Sequence, residues 1–264
     1  MRNDGRHAKP SPHRMEPRLF QTLLEQRACS DCVLKPMCKP AIIRPDELER
    51  MSDHVLPRRS LSAGERLYEQ GQKVRSLFVS QAGVFKTETS AADGRLQVLG
   101  FHFPGELMGL EAIAGMRFRA DAFALEPAVI CEIPLSALGT AASRQPEFQH
   151  HLLQAAGSCL ADQQEHVELL AMRQADERVA LFLIGLLQRA ERISGKEEAS
   201  IHLAMGRTDL ASYLCLTIET VSRTFSSLRD AGILGVQGRH LTVLDRQRLI
   251  AMSGSEGAKS TRRA

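Results

Sequence analysis

Two groups of residues in this 264-residue chain carry types and spacings suited to chemistry. The first is Cys29-x2-Cys32-x5-Cys38, three thiols in one short stretch. Zinc would favour two paired ligand sets, and no second C-x2-C exists. An iron–sulfur cluster takes thiolates and needs a fourth ligand. Cys131, Cys159 and Cys215 are the candidates, and spacing favours Cys131. The second group is Glu219, Ser222 and Arg223, at i, i+3 and i+4, hence on one face of a helix. Arginine grips guanine bidentately, glutamate accepts from the cytosine amino group, and serine is permissive.

The elements around the second group are those of a helix-turn-helix. Thr208 is expected to cap a first helix, with Asp209 at its positive end. Ala211 is small where two helices must approach, and Cys215-Leu216-Thr217 forms a three-residue turn. Thr217 caps the second helix, with Thr220 beside it, and Ile218 and Val221 are expected to point inward. Ala231-Gly232 stops that helix. Ile233–Val236 and His240–Leu244 then pair around Gln237-Gly238-Arg239 as a wing. Cys215 falls where the turn favours glycine, and reads as a packed structural thiol. Segment 207–230 holds three arginines and three acids, so DNA binding gains no support from charge excess. The bland reading is a helical hairpin with a weak surface Glu–Arg pair.

Upstream, residues 56–134 carry recurrent glycines between short β-favouring runs, 76–80, 83–87, 96–101 and 128–133, with an Asp93-Gly94 turn. That pattern predicts a small antiparallel barrel or roll. The period then changes. Leu153, Ala156, Leu160, Gln163, Val167 and Leu170 alternate in steps of three and four, a coiled-coil seam with one polar member. A helix packed on its own domain would also carry such a stripe. A further helix, 175–192, places Val179, Phe182, Leu183, Leu186 and Leu187 on one face.

The fold class is therefore α+β: an N-terminal antiparallel β-roll or barrel sensor domain, a long dimerisation helix and a C-terminal winged helix-turn-helix. The expected divisions are a disordered N-terminus (1–18), a cysteine loop plus roll (19–145), the dimerisation helix (146–174), the DNA-binding domain (175–252) and a disordered tail (253–264). Short helices are expected at 19–25 and 45–54. Hydrophobic content of 43%, charged content of 25% and no eighteen-residue apolar run argue against a membrane span. The basic, proline-bearing N-terminus has no signal-peptide core, so a reducing cytoplasm is expected.

These motifs together resemble the FNR-type branch of the CRP/FNR family of bacterial regulators, over about residues 20 to 250. The resemblance rests on the three N-terminal cysteines, Gly100-Phe-His-Phe-Pro-Gly-Glu-Leu-Met-Gly109, Val129-Ile-Cys-Glu-Ile-Pro134 and Leu216-Thr-Ile-Glu-Thr-Val-Ser-Arg223. It implies an oxygen sensor whose Cys29, Cys32, Cys38 and Cys131 hold a 4Fe–4S cluster. It implies a homodimer on two-fold double-stranded DNA with half-sites resembling TTGAT, released when oxygen degrades the cluster, and RNA polymerase as partner. Gln163 departs from the acidic residue the family often carries in the seam.

Three further readings stay open. A cyclic-nucleotide sensor on the same fold would need a phosphate site, but Arg119 is followed by Ala120 and Asp121, an acid that repels phosphate. The second is a regulator of the same fold that responds through haem or thiol redox. The third is a zinc-stabilised DNA-binding protein. No nucleotide loop, paired carboxylates or Ser–His–Asp set points to an enzyme. His102 reads as a packed roll residue, and His150, His151 and His166 as solvated.

Overall fold

The computed structural model describes residues 58–90, 94–144 and 146–254. Cys29, Cys32 and Cys38, the two short helices expected before residue 55, Asp93 and the residues from 255 onward lie outside them.

The first part is a roll of two four-stranded antiparallel sheets. Its strands are β1 (Arg58–Leu61), β2 (Arg66–Tyr68), β3 (Ser76–Ala82), β4 (Phe85–Ser90), β5 (Leu96–His102), β6 (Leu107–Met108), β7 (Asp121–Ala124) and β8 (Ala128–Pro134). The strand orders are β1-β8-β3-β6 and β2-β7-β4-β5. The sequence pattern locates β3, β4, β5 and β8. It misses β1, β2, β6 and β7, which are two to four residues long and carry too little periodicity to be seen. Leu77, Phe85, Met108, Ile130 and Ile133 are fully buried between the sheets. The Tyr68 and Phe118 rings stack there, centroids 3.9 Å apart. Gly83 turns β3 into β4 at φ +81°, and a Cβ there would sit 2.6 Å from that of Ala128, so glycine is required.

Helix α1 (Leu135–Arg144) leads to α2 (Pro146–Met172), 27 residues and about 40 Å long. Helix α3 (Ala175–Ser194) follows, then β9 (Ser200–His202), α4 (Arg207–Tyr213), α5 (Ile218–Asp230), β10 (Leu234–Gln237), β11 (His240–Val243) and α6 (Arg246–Met252). The five α3 residues expected on one face are all buried. They meet Leu210 and Leu214 of the first helix-turn-helix segment, Val221, Phe225 and Leu228 of α5, Leu241 of the wing and Leu249 of α6. Each such side chain contributes roughly 1.5–3 kcal/mol by leaving water. The wing is three-stranded, because β9 pairs with β11, a short strand with no signal in the sequence. Ser253, expected in a disordered tail, is buried and donates to the Ile250 carbonyl at 2.6 Å.

Val84, Val98 and Phe101 of the roll belong to the same apolar cluster as the winged helix. Phe101 meets the Tyr213 ring at 5.0 Å and Phe182 at 5.9 Å. Lys86 donates to Asp209 of α4 at 2.8 Å and pairs with Glu88 at 2.7 Å. Burial opposes its charge, but those two carboxylates outweigh it and hold the Lys86 pKa above the usual lysine value.

Candidate nucleic-acid interface and sensor cysteine

Helix α4 begins at Arg207, not after Thr208. Its cap is Gly206, whose N–H donates to the Asp209 carboxylate at 3.3 Å. Asp209 serves the helix start as expected, but Thr208 lies inside the first turn. Arg207 packs its guanidinium 3.3 Å from the centre of the Phe225 ring. Its buried Nη1 has no hydrogen-bond partner among the described residues. In the sequence Arg207 stands out only as a charge, because the ring beneath it is 18 positions away by numbering.

The turn contains Cys215 at φ +52°, the left-handed conformation expected there. The thiol is exposed, so it is not the packed structural cysteine anticipated. Thr217 caps α5: its hydroxyl accepts the Thr220 N–H at 3.1 Å and lies 2.9 Å from the Thr220 hydroxyl. Both threonines are thus first engaged with the helix start. Gly232, at φ +70°, ends the helix after Ala231.

Glu219, Ser222 and Arg223 stand together on the exposed side of α5, while Val221 is fully buried behind them. Glu219 and Arg223 are 3.8 Å apart, a loose solvent-screened pair that leaves both groups available. A recess lined by Ser222, Arg223, Ser226, Ser227 and Asp230 extends the surface one turn further. Ile218 corrects the expected pattern. It is 48% exposed rather than inward, an apolar side chain at the first turn of the presented helix. Such a group suits contact with a thymine methyl.

On α2, Leu153, Leu160 and Val167 are 71%, 61% and 64% exposed, with Gln163 exposed between them. Ala156 and Leu170 are partly buried. The seam therefore faces away from its own chain. The opposite side is anchored: Leu169 packs on the winged-helix core, and His166 stacks on Tyr213 at 4.2 Å. His166 is half-buried, not solvated as expected, and burial lowers its pKa. His102 is a packed roll residue, with Nε2 3.2 Å from the Thr87 hydroxyl. Burial lowers its pKa, with Arg189 adding to that effect and Glu106 opposing it. Asp121 hydrogen-bonds Arg66 at 3.5 Å and the Gln70 N–H at 3.2 Å.

Cys131 sits in the central strand β8, buried, with Val79 opposite on one side and Arg58 on the other. Arg58, the first residue of β1, is the register partner of Cys131. The Gln81 amide nitrogen is directed at the Cys131 sulfur. Cys159 is on the exposed part of α2, where local desolvation, then Asp162, Glu106 and Glu111, push its thiol up and disfavour a thiolate ligand. Among the described residues alone, no group of three or more His, Cys, Asp or Glu could hold a metal. No helix among them is long and apolar enough to cross a membrane.

The family model for a Crp-like helix-turn-helix domain matches residues 177–252, and that for a cyclic nucleotide-binding domain matches residues 58–145. The chain is 34% identical to the transcriptional activator protein Anr of Pseudomonas aeruginosa, across 88% of this chain and 95% of that one. It is 32% identical to the anaerobic regulatory protein of Haemophilus influenzae, across 88% and 90%. Among solved structures, FixK2 from Bradyrhizobium japonicum aligns with a TM-score of 0.68 and 31% identity, over 75% of this chain and 97% of that one.

Proposed function

Because this chain belongs to the FNR-type branch of the CRP/FNR family of transcription regulators, we propose that it is an oxygen-responsive regulator that grips two-fold DNA as a homodimer. The observation that carries the DNA-binding reading is the exposed Glu219–Ser222–Arg223 face on a capped helix beside a wing. Arg223 and Glu219 would read the two bases of a G·C pair, and Ser222 and Ile218 the neighbouring bases. Thr217 and Thr220 stand at the helix start that enters the major groove.

The seam of Leu153, Ala156, Leu160, Gln163, Val167 and Leu170 would join two copies. Three well-exposed apolar residues at seven-residue spacing support that use. Gln163 weakens the pairing, which suits a dimer under control. RNA polymerase is the downstream partner expected of such a regulator, and the cytoplasm is its place of work.

Cys29, Cys32, Cys38 and Cys131 would hold a 4Fe–4S cluster. The Cys131 thiol, largely shielded from water in β8 and opposite the N-terminal strand β1, supports that reading. Relatives named as anaerobic regulators support the same reading. When bound, the cluster supplies an oxygen-reactive centre. The chain's own part is to tie its N-terminal segment to β8, whose end leads through α1 into α2. Ordering that segment biases a weak seam, as a two-state switch requires.

Anaerobic purification tests the proposal. Iron and sulfide should accompany the protein, with visible absorbance that decays as air is admitted and DNA affinity that falls with it. A colourless, iron-free protein that binds its DNA equally well in air overturns the oxygen-sensing part.

A further inference from the structure

Strand β3 carries a bulge that has no role in the recognition face or the seam. Ser80 pairs with Ile130 and Ala82 with Val129, so Gln81 is the extra residue of the bulge. Gln81 is buried, as is every residue of β3. A glutamine is an unusual occupant of such a place, since its carboxamide must be satisfied inside the protein. Its amide nitrogen is directed at the sulfur of Cys131. Cys131 otherwise belongs to an apolar cluster with Val79, Ile130, Ile133 and Leu138.

We infer that Gln81 is a positioning and tuning residue for the Cys131 sulfur: its amide N–H donates to that sulfur, aims it and draws charge from it when it acts as a ligand. This rests on Cys131 serving as the fourth ligand. Hydrogen bonds to ligand sulfurs are among the controls on the reduction potential of iron–sulfur centres. Groups that orient a metal's ligands are as much part of such a site as the ligands themselves. An uncharged donor fits the surroundings: a lysine would bring an uncompensated charge into an apolar cluster. Gln81 lies two residues beyond Val79, the register partner of Cys131, and as the extra residue of the bulge its side chain still reaches that sulfur.

The test compares wild type with Gln81→Met and Gln81→Leu, all loaded anaerobically with iron and sulfide. Both replacements are apolar and near glutamine in size, and methionine adapts to irregular core spaces. The readouts are iron per chain, the midpoint potential in a mediator titration, and the D2O-induced shift of the iron–sulfur stretching bands. The expected result is a midpoint potential below wild type in both variants, with a smaller D2O shift. A folded variant that holds no cluster under conditions where wild type does is the stronger form of the same result. Fully loaded variants with unchanged potential and unchanged D2O shift overturn the inference, because a merely space-filling Gln81 is replaced by Met without electronic effect. Failure of the cluster reading itself looks different: wild type would take up no iron.

Discussion

The hydroxyl of Ser212, on the first helix of the helix-turn-helix, accepts the backbone N–H of Val98 on the roll at 2.9 Å. The same hydroxyl donates to the Leu96 carbonyl at 3.3 Å, and Gln97 donates to the Ser212 carbonyl. Strand β5 is the open edge of its sheet, and α4 covers it. The DNA-reading unit is therefore bonded to the sensor roll, not merely tethered through α2 and α3. Ser212→Ala removes the acceptor for a partly buried N–H and should cost about 1–3 kcal/mol. Urea unfolding at neutral pH measures it.

Arg223→Ala should weaken binding to the specific site by about 1–3 kcal/mol and leave random DNA nearly unaffected. Titrations on both duplexes at one fixed salt concentration decide it. Equal losses on both would mean a phosphate contact instead of base readout. The fold should be unchanged, since the side chain is exposed and its pairing with Glu219 is loose.

Leu160→Glu should convert a dimer to a monomer without lowering monomer stability. The side chain is 61% exposed, so the monomer has little packing there to lose, whereas two charges would face each other across the seam. Sedimentation and thermal melting of the same sample separate the two effects. A variant that stays dimeric points to another interface.

Acid should loosen the contact between α2 and α4. Burial lowers the His166 pKa below its ordinary 6.5, so the folded protein holds the neutral ring against Tyr213. This contribution is complete above pH 6.5 and declines as the pH falls below it, because the unfolded chain takes up the proton first. His166→Phe keeps a ring but cannot titrate. The melting temperature should therefore drop less between pH 7.5 and pH 5.5 in that variant, pH values chosen to straddle the transition at about 6.5.

Cys215→Gly should raise stability by about 1 kcal/mol. A side chain at φ +52° is strained, and an exposed thiol has no packing to surrender. Denaturant melts check the direction.

Local chemistry makes much of this protein legible before folding. The acid at Asp209 in the first turn of α4, the cap at Thr217, the stop at Gly232, the left-handed turn at Cys215 and the Glu219–Ser222–Arg223 face all depend on neighbours within four residues. Such signals survive in sequence because dihedral preference and helical spacing are properties of short stretches. The exposed apolar stripe of Leu153, Leu160 and Val167 is readable for the same reason. The tertiary structure decides what depends on residues distant in the chain. Ile218 faces outward because Val221 and Phe225 already fill the inner side of α5. His166 is half-buried because Tyr213, 47 positions away by numbering, folds beneath it. Short strands such as β1 form only when β8 offers them a partner, and that pairing sets Arg58 opposite Cys131. The contact of Gln81 with the Cys131 sulfur is likewise a product of register between β3 and β8, which no single strand encodes. Short-range chemistry thus determined in sequence which face of α5 is presented to solvent, while strand register decided what surrounds the Cys131 sulfur.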